Sequence, residues 1–214
     1  MNTDILDFII KKNNLIIGDK LPIDIPNVSR FDLVKWLREL DFKTGVELGV
    51  ADGWFSRIIC LLNPQMKLYG VDAWVSYKGY KDYTRQATFE NMYQYTLGSM
   101  RVMMHRGQYD IIRAFSMDAI KKFNDNSIDF IFIDANHEEP YISQDIIEWS
   151  KKVRAGGIVS GHDYIEMKET KIDVRDAIKK YTTINSIKPW FVLGSDAKIC
   201  NQVREKHRTW MFVK

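Results

Sequence analysis

The residues best suited to chemistry lie just after two apolar runs. Asp134 and His137 follow Ile128–Ile133, a run interrupted by Asp129, and His162 and Asp163 follow Gly157–Ser160. Carboxylates accept protons and bind cations, and an imidazole exchanges its proton near neutral pH. If the two runs are neighbouring strands, all four side chains project over one end of a sheet. Simpler roles stand beside these: His137 could order the loop before Pro140, and His162 could serve as a structural hydrogen-bond donor. Of the two other histidines, His105 is a weaker candidate and His207 reads as a surface residue. Asp145 and Trp149, four apart in a helical stretch, read as a packing face.

A third feature looks like a ligand site. Val46-Glu47-Leu48-Gly49-Val50-Ala51-Asp52-Gly53 closes an apolar run and leads into a helical pattern from Trp54. In an open α/β sheet, ligands bind at the carboxyl ends of the strands. A dinucleotide site would show G-x-G-x-x-G, but only Gly49 and Gly53 stand here, and Glu47 and Asp52 would repel phosphates. The acidity suits a cationic ligand without phosphate, with S-adenosylmethionine the natural choice. Asp72, ending the next apolar run, is placed to accept from ribose hydroxyls.

The elements that must carry these residues follow from hydrophobic period. Ser29 is set to cap a helix through about Leu40, in which Phe31, Val34, Leu37 and Leu40 share a face. Five apolar runs read as strands buried on both faces: Thr44–Val50, Lys67–Val71, Tyr109–Phe115, Ser127–Ile133 and Gly157–Ser160. Helical stretches over Trp54–Leu62, Met117–Phe123, Tyr141–Val153 and Val174–Tyr181 alternate with them, which predicts an α/β fold around a parallel sheet. Trp190–Leu193 and Thr209–Val213 read as a closing strand pair. No fold is assigned to residues 1–30, which read with the first helix as an N-terminal extension (1–40) to the domain over 41–214.

The gap between Val71 and Tyr109 is almost forty residues, far more than a simple crossover needs. This insert, at about 74–106, holds Trp74, Tyr77, Tyr80, Tyr83, Phe89, Tyr93 and Tyr95. Either an extra helix packs these rings on the body, or they form a lid or acceptor wall above the ligand.

With Glu47–Gly53, Asp72, the stretch Ile128 to His137 and the stretch Gly156 to Tyr164, the chain resembles the class I S-adenosylmethionine-dependent methyltransferases from Thr44 onward, in particular small O-methyltransferases including those of sugars. The resemblance implies a Rossmann-like, doubly wound, seven-stranded sheet, mostly parallel with an antiparallel last strand. It implies that Glu47, Gly49, Gly53 and Asp72 bind the cofactor with Asp134, that Ser116 and Met117 border adenine, and that His137, Asp134 and His162 serve catalysis. In related metal-dependent enzymes, acids at these strand ends hold a divalent ion, so Asp134 and Asp163 would be ligands with His162 where the family often has another acid. Magnesium prefers oxygen, whereas a histidine ligand favours manganese or another transition metal. The motifs point to a sugar or glycan hydroxyl first and a phenolic small molecule second.

Other functions fit less well. Amino-methylating nucleic-acid enzymes carry Asn/Asp-Pro-Pro-Tyr where this chain has Asp134-Ala135-Asn136-His137, and neither Cys60 nor Cys200 has the proline neighbour of a cytosine-C5 nucleophile. Ribose methylation of RNA and a non-catalytic cofactor-binding module stay open. An aminopropyltransferase would call for a more acidic channel. The 31 basic and 28 acidic residues leave +3 with no basic tail, so charge does not imply nucleic acid. No apolar run is long enough to span a bilayer, and two distant cysteines among apolar neighbours suggest reduced thiols and a cytoplasmic setting. Expected partners are a small-molecule or glycan acceptor, with a homodimer left open.

Overall fold

A computed structural model describes residues 4–77, 85–165, 172–195, 205 and 207–214. Its strands are β1 (Ile23–Ile25), β2 (Thr44–Leu48), β3 (Lys67–Asp72), β4 (Tyr109–Arg113), β5 (Ile128–Ile133), β6 (Val153–Gly161), β7 (Trp190–Leu193) and β8 (Thr209–Val213). They form one sheet in the order β1-β7-β8-β6-β5-β2-β3-β4. Every neighbouring pair is parallel except those made by β8, which runs antiparallel to both β6 and β7. The predicted seven strands are all there, and β1 adds an eighth at the β7 edge. That strand comes from residues 1–30, whose pattern predicts no fold, and the helix before it, α1 (Ile5–Lys12), buries Ile9 in the core.

The apolar runs are strands because both faces of the sheet are covered. In β5, Phe130 and Phe132 enter the core shared with α2 (Arg30–Glu39) and α3 (Trp54–Leu62), while Ile131 and Ile133 enter the core under α6 (Tyr141–Lys152) and α7 (Val174–Ile184). The one polar member, Asp129, accepts from the backbone N–H groups of Lys43 (2.7 Å) and Thr44 (2.8 Å) and pairs with Arg154, so its charge is met at the strand's start. Ser29 does start α2: its N–H and hydroxyl both donate to Asp32 Oδ2, at 3.0 and 2.9 Å.

The insert supplies α4 (Gln86–His105), twenty residues long, and a short α5 (Ser116–Ala119) follows β4. Trp74 and Phe89 are buried together with Val50, and Tyr93 lies 5.0 Å from Trp74 between ring centroids. These rings pack on the body, and Trp74 and Phe89 also form part of the wall of the cavity above the turn after β2. Tyr80 and Tyr83 lie outside the described residues, as does Cys200; Cys60 is a buried thiol pushed up to about 12 by burial. Among the described residues no helix is long and apolar enough to cross a membrane.

Candidate functional site

The turn after β2 is held by its neighbours on β3 and β5. Gly49 has φ +83°, and a Cβ there would lie 2.0 Å from the carbonyl oxygen of Asp134, so no side chain is tolerated. Gly53 caps α3 in the left-handed region at φ +76°. Ala51, at φ +51°, and Trp74, at φ +44°, share that region without being glycine. Asp72 holds both: Oδ2 accepts from the N–H groups of Val50 and Ala51 at 3.0 Å, and Oδ1 accepts from that of Trp74 at 2.8 Å. The Trp74 indole closes the clamp by donating to the Ala51 carbonyl at 2.7 Å. Burial raises the Asp72 carboxyl, and these N–H groups work against the rise.

A cavity of about 570 Å³ opens above this turn, of the size that takes a small-molecule cofactor. Of the residues assigned to the cofactor from sequence, Gly49, Asp72, Ser116 and Asp134 line it. Glu47, Gly53 and Met117 are not among its lining residues. Met117 packs against the core under α6. The Glu47 carboxyl is buried and takes the Ser56 hydroxyl, whose oxygen is 3.1 Å from that of Tyr109. Burial, joined by the charges of Asp134 and Asp72, pushes Glu47 up to about 8.

The two acid–histidine stretches meet because β5 and β6 are adjacent and end in register, Ile133 beside Gly161; Asp134 and His137 line the cavity, whereas His162 and Asp163 are not among its lining residues. His137 Nε2 lies 3.2 Å from Asp134 Oδ1 and 3.0 Å from Asp163 Oδ2. His162 Nδ1 lies 3.4 Å from Asp163 Oδ1 and 3.9 Å from Asp134 Oδ2. Burial opposes charge on His137, but hydrogen bonds to both carboxylates and their charges raise it to about 10. Burial opposes charge on Asp163 too, yet the bonds and charges of His137 and His162 hold it far below the usual carboxylate range.

One atom from each of Asp134, His162 and Asp163 lies within 4.8 Å of the others. Ligands on opposite sides of a small divalent ion stand about 4.2 Å apart, so these three fit a cation after a modest contraction. The mixed nitrogen and oxygen set favours manganese or a similar transition ion over magnesium. His137 faces both carboxylates of this set.

Residues 46–164, more than half of the chain, match the family model described as a methyltransferase domain. The chain belongs to this family. It is an S-adenosylmethionine-dependent methyltransferase of the class I fold. No curated protein matches it. Among solved structures, the O-methyltransferase from Bacillus cereus in complex with SAH shares 13% identity at a TM-score of 0.58, with 100% of this chain and 92% of that one covered. A candidate caffeoyl-CoA O-methyltransferase from Staphylococcus aureus shares 15% at 0.56, covering 100% and 93%. An rRNA methylase from Streptococcus thermophilus shares 12% at 0.57, covering 86% and 93%. At such identities the likeness is one of fold, and it spans enzymes with unlike acceptors.

The methyltransferase site also contains residues that the sequence reading passed over. His207, read as surface, places Nδ1 2.6 Å from Asp163 Oδ1, and its ring stacks on His162 at 6.1 Å and 8°. The cause is β8, whose antiparallel return beside β6 carries the preceding residues to the strand ends. Glu205, from the same segment, accepts from the Arg30 N–H at 3.0 Å and brings Oε1 to 3.8 Å from His162 Nε2. His105 is exposed at the end of α4, before the start of β4, away from the strand ends that carry the site. From the insert, Tyr77 reaches the cavity and accepts from the Asn136 amide at 2.7 Å. Asp145 lines the cavity as well, although its helix neighbour Trp149 packs in the core.

Proposed function

We propose that this methyltransferase transfers a methyl group from S-adenosylmethionine to a hydroxyl of a sugar or glycan. The observation that carries the reading is the meeting of the Gly49–Asp72 clamp with Asp134 and His137 at a single cavity, where Asp163 backs His137. The cofactor supplies a methyl carbon activated by sulfonium, so the protein's part is alignment and removal of the hydroxyl proton. The SAH complex of the Bacillus cereus relative supports the cofactor, and the names of two relatives support an oxygen acceptor.

Gly49 leaves room for the cofactor beside the backbone, and Asp72 offers the ribose a carboxylate already fixed by three N–H groups. The Glu47 carboxyl, buried against Ser56 and holding its proton up to about 8, braces the turn from outside the cavity lining. Ser116 borders the base, and Met117 backs it from the core. Asp134 faces the cavity, oriented by its bond to His137, and is placed to take the acceptor's proton. His137, charged while both carboxylates face it, orients the acceptor oxygen and takes the base role only when that charge is relieved. Asp134, His162 and Asp163 would hold a divalent cation, which would lower the pKa of the acceptor hydroxyl.

The sugar assignment rests on Tyr77, whose ring faces and hydroxyl suit a pyranose, and on the motif resemblance. A phenolic acceptor is the second reading, since the Tyr77 ring would also stack on a phenol. Calorimetry with S-adenosylmethionine tests the cofactor. Heat of binding in the wild type, weakened in Asp72→Ala, is the expected result, and no heat in the wild type defeats the reading.

A further inference from the structure

Tyr141, Asp145 and Trp149 follow one another at four-residue steps along α6. Trp149 is fully buried, its ring 5.3 Å from Phe123. Tyr141, at the start of the helix, is 46% exposed and lines the cavity. Asp145 stands between these two environments: it is only 2% exposed, yet it too lines the cavity. The Ser116 side chain acts on its carboxyl group, and Oδ1 has no hydrogen-bond partner among the described residues. Burial pushes this carboxyl up to about 7, with the Ser116 side chain working against the rise.

A buried carboxyl oxygen without a partner costs stability unless something outside the fold completes it. Its surroundings narrow down what that is. Ser116 and Phe115 follow β4, and the N–H of the adjoining Ala114 donates to the Asp72 carbonyl at 3.0 Å, so Asp145 faces the cavity on the flank next to Asp72. Phe115 is 48% exposed there, and with Tyr141 it presents aromatic faces suited to a flat ring.

We propose that Asp145 reads the purine base of the cofactor, with Oδ1 accepting a hydrogen bond from the exocyclic amino group of adenine. This rests on the cofactor reading above and assigns to α6 a base-selecting residue in addition to Ser116. A hypoxanthine ring puts a carbonyl oxygen where adenine has its amino group, and two acceptors then face each other.

The test is calorimetry with S-adenosylhomocysteine and S-inosylhomocysteine on the wild type, Asp145→Leu and Asp145→Asn. The wild type should prefer the adenine compound by at least tenfold. Asp145→Leu, close in size and without the acceptor, should bind S-adenosylhomocysteine at least tenfold more weakly and bring the ratio near one. Asp145→Asn, which adds an amide donor, should move the ratio toward hypoxanthine and decides the matter if the leucine variant does not fold. Equal binding of the two compounds by the wild type, or an unchanged preference in the folded variants, overturns the proposal. Wild type that binds neither compound overturns the cofactor reading itself.

Discussion

His207 Nδ1 and Asp163 Oδ1, separated by 44 positions in the chain, stand 2.6 Å apart and join the antiparallel edge of the sheet to the carboxylate cluster. The contact leaves Asp163 Oδ2 to His137 and fixes the plane of the carboxylate. Partners of this kind typically matter by ten- to a hundredfold in activity or metal affinity. His207→Gln is therefore expected to lower kcat about tenfold while leaving S-adenosylhomocysteine affinity within about twofold, since His207 touches no part of the Gly49–Asp72 clamp. Steady-state kinetics beside calorimetry separates the two effects.

Asp72 should be costly to change in two ways. Asp72→Asn keeps the shape but replaces an oxygen acceptor with a donor that faces N–H groups of Val50 and Ala51 or of Trp74. Leaving such groups unmet costs about 1–3 kcal/mol. We expect a lower melting temperature together with at least a tenfold loss of cofactor affinity. Thermal unfolding with and without S-adenosylhomocysteine checks both, and an unchanged melting temperature would show that the clamp is not needed.

Glu47 sets a pH dependence whose sign is fixed by burial. In the unfolded chain its carboxyl ionises near 4.5, and in the fold it keeps its proton up to about 8. Its contribution therefore becomes steadily less favourable as pH rises from about 4.5 to about 8 and is constant beyond. Glu47→Gln should gain stability relative to the wild type across that window, and comparing the two proteins cancels the same-signed effect of Asp145. Denaturant titrations at pH 5 and pH 8 measure it, and an equal difference at both values would contradict the assignment.

Chelation tests the cation. If Asp134, His162 and Asp163 hold one, excess EDTA should lower turnover at least tenfold, and manganese should restore it better than magnesium. Asp163→Asn should require more manganese for the same rate. Unchanged turnover in EDTA assigns the reaction to the side chains alone.

Much of this arrangement could be read from the chain because its signals are local. The five central strands follow from apolar runs, and Asp134, His137, His162 and Asp163 follow from their ends, which adjacency of β5 and β6 then brings together. Residues set by distant pairing were harder to read. His207 and Glu205 precede an edge strand, so nothing near them in sequence indicates the site. Asp145 carries the same helical spacing as Trp149, and period alone could not tell a cavity wall from a core face. β1 spans only three residues, too short to leave a pattern, and its pairing with β7 is visible only in the fold. Glu47 stands beside the turn, but the alternation that turns it toward Ser56 keeps it out of the cavity lining.

The most direct measurement follows a labelled methyl group from S-adenosylmethionine into a panel of glycans, phenols and RNA, with the product linkage identified by mass spectrometry. The account predicts label on a glycan hydroxyl as a methyl ether, lost in Asp134→Ala and absent from RNA. Label found only in RNA, or on nitrogen or carbon of any acceptor, would contradict it.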